Sequence, residues 1–186
     1  DNGRYCKRAN ELMEQVVKKL NLYAPIYEQG KVKASDAYMI SPVIVVAQNP
    51  DSLDDADKID FTYNKADKTV TLNNKGKYPL NQFLNTPFGV LKFAPNKNYS
   101  ESRASDKQLY FSIANPKIVA SQLLGSLKVA SSRQSAIVDL SFRDPVRQRA
   151  ADVLSQLIIA YDFTSKNEQN TLARNTLSFI NEIIQG

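Results

Sequence analysis

The stretch FRDPVRQRAADVLSQLIIAYDFTSKNEQNTLARNTLSFINEIIQG, Phe142 to Gly186, decides how this chain is organised. Asp144 is placed to cap a helix, and Pro145 to take its first position, where a missing N–H costs nothing. Ala150, Val153, Leu154, Leu157, Ile158 and Tyr161 then recur at helical spacing, an apolar stripe that has to face a core. From Asp162 to Thr171 the chain turns polar. Leu172, Leu177, Ile180 and Ile184 restore an apolar face, with no cap after it. An unbroken helix from Pro145 to Gln185 would reach about 60 Å at 1.5 Å per residue, longer than the core of a domain this size. The spacing therefore predicts a helix that packs through its first turns and leaves the domain at Asp162. Its second apolar face awaits a partner outside this chain. Residues 1–161 read as an α/β base and residues 162–186 as a protruding arm.

Upstream of this helix the pattern mixes strands and helices. KRANELMEQVVKKLNL places Ala9, Leu12, Met13, Val16, Val17 and Leu20 on one helical face, ending near Asn21 and before Pro25. Val43 to Ala47 is too short and too β-branched for a helix, so it reads as a buried strand begun by Pro42. Ile59, Phe61 and Tyr63 alternate on one arm of a hairpin and Val70 and Leu72 on the other, joined through NKADKT. Further strands are expected at Phe88 to Ala94, Gln108 to Ile113 and Ser135 to Phe142. Asn115 caps and Pro116 opens a second helix, with Ile118, Val119, Leu123, Leu124 and Leu127 as its buried face. The fold class is α+β: a mostly antiparallel sheet packed by two or three helices, with a long C-terminal helix projecting.

Composition narrows the chemistry. The 186 residues are 42% hydrophobic and 23% charged, which suits a single globular domain. The net charge of +5 comes from lysines and arginines interleaved with acids, so no block resembles a nucleic-acid arm. With no histidine, histidine triads and imidazole metal sites are excluded; Cys6, the one cysteine, allows no intrachain disulfide. Tryptophan, the strongest sugar-stacking platform, is absent too. No apolar run has the roughly 18–20 residues that cross a bilayer, and no signal peptide opens the chain. Both ends are abrupt, as in a segment cut from a longer protein.

The remaining candidates are weak. Asp51, Asp54, Asp55 and Asp57 cluster, but without the glycine and glutamate an EF-hand loop requires. Asp139 falls on the strand face opposite Val138 and reads as an exposed or locally hydrogen-bonded carboxylate rather than a buried acid. No G-x-S-x-G elbow is present, and NNKGKYP lacks the Walker pattern. Arg143, Arg147 and Arg149 crowd the positive end of the last helix, where an anionic partner or neighbouring subunit would justify them. Lys166, Glu168, Gln169 and Arg174 are candidate subunit contacts. No residue is assigned as catalytic, cofactor-binding or metal-ligating.

Several segments, in order, resemble one family. ELMEQVVKKLNL is similar to the helix that family places after its first strand. NTPFGVLKFAPN is similar to its turn-glycine-strand segment. The strongest likeness is VASQLLGSLKVASSRQSAIVDLSFRDPVRQRAADVLSQLIIAY followed by SKNEQNTLARNTLSFINEII. The family is the periplasmic domain of bacterial chain-length determinant proteins, or polysaccharide co-polymerases. The likeness is greatest to those fused to, or partnered with, a cytoplasmic tyrosine autokinase for capsule and exopolysaccharide export. Its proline usually lies a few residues further from its aspartate than in Asp144-Pro145, which would shift the helix start.

The resemblance implies the periplasmic portion of an inner-membrane protein, anchored by membrane helices before Asp1 and after Gly186. It implies ring-forming homo-oligomers that set polysaccharide length with a polymerase and an outer-membrane export channel, and that could touch the nascent polysaccharide. It implies no cofactor here and no kinase apparatus in this segment. Three other classes compete: a free-standing carbohydrate-binding module, supported by nine tyrosines; a periplasmic adaptor of an export pump, whose heptads the polar gap at Asp162 to Thr171 would break; and, weakest, a hydrolase, against which the missing histidine tells.

Overall fold

Leu12, Met13, Val16 and Val17 all have less than a tenth of their surface exposed, so the first helix buries the face its spacing defines. The computed structural model of the chain describes residues 2–131, 134 and 138–185. This helix, α1 (Asn2–Lys19), stops as Asn21 turns into the left-handed region at φ 55°. The Leu22 N–H then donates to the Val17 carbonyl (2.9 Å) and the Asn21 N–H to the Lys18 carbonyl (3.4 Å). That is a Schellman stop with asparagine in place of glycine.

Among the described residues there are three helices and eleven strands, and every strand pairing is antiparallel. The strands are β1 (Ile26–Glu28), β2 (Ser35–Asp36), β3 (Val43–Ala47), β4 (Ala56–Asn64), β5 (Thr69–Leu72) and β6 (Lys75–Pro79), then β7 (Leu84–Thr86), β8 (Gly89–Pro95), β9 (Leu109–Ile113), β10 (Leu127–Ser131) and β11 (Val138–Phe142). One sheet runs β2-β1-β9-β4-β5-β6, a second β3-β8-β7, and β10 and β11 form a separate ribbon. Phe111 of β9 meets Phe61 of β4 at 5.9 Å between ring centroids and Phe93 of β8 edge-on at 6.3 Å, joining the two larger sheets. The α1 face enters the same core cluster.

The expected hairpin forms as β4 and β5, with Phe61 opposite Leu72 and Tyr63 opposite Val70. The Asn64 side chain accepts from the Ala66 and Asp67 N–H groups, which nucleates the turn. Strands β1, β2, β6, β7 and β10 were not anticipated. NNKGKYP, which lacks the Walker pattern, is the turn into β6 and that strand itself. Asn73 and Asn74 take φ of 45° and 59°, the two-residue turn that matches strand twist, and Leu72 pairs with Lys75 across it.

The second helix, α2 (Pro116–Leu124), is capped by Asn115, whose side chain accepts from the Lys117 N–H at 2.9 Å. Its buried face differs from the expected one at Ile118, which is 53% exposed. Ala120 is buried instead, a small side chain that lets α2 lie close to α1. Val119, Leu123 and Leu124 pack on the core as expected, whereas Leu127, expected on the same helical face, packs there from the start of β10 because the helix ends at Leu124.

The third helix, α3, runs unbroken from Arg147 to Gln185, 39 residues or about 58 Å. It begins two residues later than Pro145: the Ala150 N–H donates to the Val146 carbonyl, and Asp144 caps from outside the helix. Val153 and Leu157 are buried and Ala160 packs against the core, but Ile158 and Tyr161 are 56% and 58% exposed, so the expected stripe is narrower. Asp162, Phe163 and Lys166 to Thr171 are exposed. Lys166 pairs with Asp162 one turn earlier at 2.9 Å, which supports a solvated helix. The side chains of Leu172, Leu177, Ile180 and Ile184 lie outside the described residues, as do Ser135, Ala136 and Ile137 of the expected last strand.

Phe111→Ala removes the ring that joins the sheets and is expected to cost about 3–5 kcal/mol. Ile118→Ala is expected to stay within about 0.5 kcal/mol of the parent. Urea unfolding of the two variants checks both.

Candidate functional site

The residues that set the course of α3 come from chain positions more than a hundred apart. Arg149, in the first turn of α3, donates through Nε to Asp144 Oδ2 (2.7 Å) and through NH2 to Asp144 Oδ1 (2.9 Å). Its third donor, NH1, reaches Asp36 Oδ2 on β2. Only 17% of the Arg149 side chain and 5% of the Asp144 side chain are exposed. Its guanidinium also lies over the Tyr38 ring, 5.6 Å from the centroid. Asp36 Oδ1 accepts from the Tyr38 N–H at 2.8 Å, and the Tyr38 hydroxyl donates to Asp152 Oδ2, one turn further along α3. Gln148 donates to the other Asp152 oxygen at 3.0 Å. Segment 36–38 and the root of α3 thus form one hydrogen-bonded clasp.

The electrostatics follow from that geometry. Burial alone would lower the Arg149 pKa, but hydrogen bonds to the Asp144 and Asp36 carboxylates outweigh it and hold the guanidinium charged more firmly than usual. Burial, reinforced by the hydrogen bond to the Asp152 carboxylate, raises the Tyr38 phenol above its ordinary range, with Arg149 opposing. Losing Arg149 would leave two carboxylates facing each other with little water between them.

Beside the clasp, and sharing Tyr38 with it, lies a cleft of about 210 Å³ between the end of α1, the start of β1 and the loop after β8. Its walls are held in place. Asn21 Oδ1 accepts from the Tyr23 hydroxyl at 2.9 Å, and that hydroxyl in turn accepts from the Ala47 N–H. The buried Asn96 amide donates to the Tyr38 and Ser41 carbonyls at 2.9 and 2.8 Å.

Of the arginines crowding this helix start, Arg143 and Arg147 are exposed, whereas Arg149 is mostly buried. The anionic partners that justify Arg149 are its own chain's Asp36 and Asp144, so no other molecule is needed to explain it. Asp51, Asp54, Asp55 and Asp57 are exposed, and Asp51 pairs with Lys18 at 2.8 Å. Asp139 is exposed as expected. Lys166, Glu168, Gln169 and Arg174 are exposed on α3, but Glu168 pairs with Arg8 of α1 at 3.2 Å, and Arg8 also lies 5.9 Å from the Tyr161 ring centroid. Cys6 lies on α1, its side chain outside those described. Sequence spacing could not have paired Asp36 with Arg149 or Tyr38 with Asp152.

Among the described residues, no group of three or more Cys, Asp or Glu side chains could hold a metal ion. No helix among them is long and apolar enough to cross a membrane. No protein-family model matches the chain, and comparison with curated proteins finds no match.

Arg149→Ala is expected to cost about 3 kcal/mol, the figure for breaking a buried pair from one side. That corresponds to roughly 6–12 °C in Tm. Arg149→Lys is expected to recover little, because one ammonium cannot serve both carboxylates in this fork geometry. Calorimetry of both variants checks this. A phenol held above the ordinary value of about 10 stays protonated in the folded chain after it ionises in the unfolded one. Its contribution is therefore intact below about pH 10 and is lost as pH rises further. Tyr38→Phe is expected to flatten that alkaline fall in stability, measured by urea unfolding from pH 8 to 11.

Proposed function

We propose that this chain is the periplasmic scaffold segment of a membrane-anchored, ring-forming protein that regulates the chain length and export of a capsular or exopolysaccharide. It acts without catalysis, as a spacer and assembly surface on the periplasmic face of the inner membrane. The observation that carries this reading is α3: a single 39-residue helix, clasped at its root, roughly twice as long as the α1 helix it packs against. An antiparallel α/β base with such an arm is the architecture that the resemblance from ELMEQVVKKLNL to SFINEII implies.

Exposed apolar side chains add support. Ile159 and Phe163, one turn apart on α3, are 58% and 64% exposed, a face that a neighbouring copy would cover. The partners of such a scaffold are further copies of itself, the polysaccharide polymerase and the outer-membrane export channel.

The test is the oligomeric state of the full-length, membrane-embedded protein in mild detergent, by single-particle imaging. Closed rings are expected; a strict monomer overturns the proposal, and a monomer that binds glycan favours the carbohydrate-binding module. Within the ring, Ile159→Glu with Phe163→Glu is expected to shift the population toward monomers. Both sites are exposed, so the fold should keep its stability within about 0.5 kcal/mol per site.

A further inference from the structure

The cleft beside the clasp combines features that the scaffold role does not use. Its floor is apolar, from Leu20, Pro25, Ile26, Ile44 and Pro95. Asn21, Asn98 and the Tyr38 side chain add amide and hydroxyl groups to the same walls. Lys19, in the last turn of α1, and Lys97, on the loop after β8, line it as well. Both lysines are exposed, and neither has an acidic partner among the described residues. Lys19 complements the negative end of the α1 dipole; Lys97, on a loop, has no such role.

Size and charge together restrict the occupant. A volume of about 210 Å³ lies below the roughly 300–1,000 Å³ of pockets for drug-sized ligands, and suits a single six-membered ring. The apolar side chains match the C–H face of a pyranose, the Asn21 and Asn98 amides match its hydroxyls, and the two exposed lysines lining the same cleft supply positive charge for a carboxylate. The wall residues are already fixed by Tyr23, Asn96 and Asp152, so little ordering is lost on binding. We propose that this cleft binds one hexuronate ring of an acidic glycan, with Lys19 and Lys97 holding its carboxylate. That the ring is a sugar rests on the proposed polysaccharide function; that the ligand is anionic rests on the cleft alone.

The experiment titrates the chain with glucuronate, galacturonate and, as the neutral control, glucose, following methyl signals of Leu20, Ile26 and Ile44 by NMR. Saturable shifts at these methyls are expected with at least one uronate at roughly 1–10 mM, with at least tenfold weaker binding of glucose. Raising the salt concentration should weaken uronate binding, since both ammonium groups are exposed. Lys19→Gln with Lys97→Gln should abolish it while the chemical shifts elsewhere keep the folded pattern. Lys97→Glu alone should weaken it at least tenfold. Equal binding of glucose, uronate binding that survives the double variant, or no saturable shift with either uronate overturns the proposal. Ring assembly of the full-length protein is scored separately, so a cleft that fails leaves the scaffold reading standing, and a monomer that binds uronate does the reverse.

Discussion

Arg149 places one guanidinium between Asp36 and Asp144, with most of its side chain out of water, and from that arrangement the course of α3 follows. Three donors of a rigid fork go to two carboxylates, so the helix root can neither rotate nor slide without breaking charge-assisted bonds in a poorly solvated setting. Tyr38 repeats the constraint one turn on, through Asp152. A pair of this kind adds less to stability than its Coulomb attraction suggests, because desolvation offsets much of the gain. Its larger effect is directional: it defines a single angle between the base and a helix of about 58 Å, whose far end magnifies any error at the root.

The rest of the base serves as the rigid body to which that root is fixed. Phe61, Phe93 and Phe111 lock the two larger sheets together, and α1 fills the same core from the helical side. Alongside α1, the next part of α3 loses its core contacts and becomes polar, with Arg8 reaching Glu168 and Tyr161 from the neighbouring helix. Exposed ion pairs of this type contribute little free energy. They permit a solvated helix rather than drive it, so the stability of α3 in this region rests on its packed root.

Elements with strong periodicity were legible in the chain itself. The α1 face, β3, the β4–β5 hairpin, β8, β9 and the Asn115-Pro116 helix start all lie where spacing and capping place them, within a few residues. Elements without periodicity were not. Strands β1, β2 and β7 are two or three residues long and take their existence from a neighbour's hydrogen bonds, which leaves no pattern in their own side chains. β6 is polar and sits at a sheet edge; its signal was the Asn73-Asn74 pair, whose left-handed conformations form the turn. The start of α3 slipped by two residues because Asp144 bonds the Val146 N–H across Pro145, which delays the first helical turn. The exposure of Ile118 reflects α2 packing through Ala120, where close approach decides the contact and hydrophobicity does not.

By itself the sequence determined the α+β class, the long final helix with its polar middle, and the lack of histidine chemistry. These follow from periodicity and composition, properties local to the chain. Tertiary structure alone decided what the crowded arginines mean. Arg149 reads as an unexplained cation at the wrong end of a dipole until the fold brings Asp36 to it across 113 positions of sequence. The cleft with its two exposed lysines is likewise a product of α1, β1 and the loop after β8 meeting in space. Charges act through distance and burial, and neither is written in the order of residues.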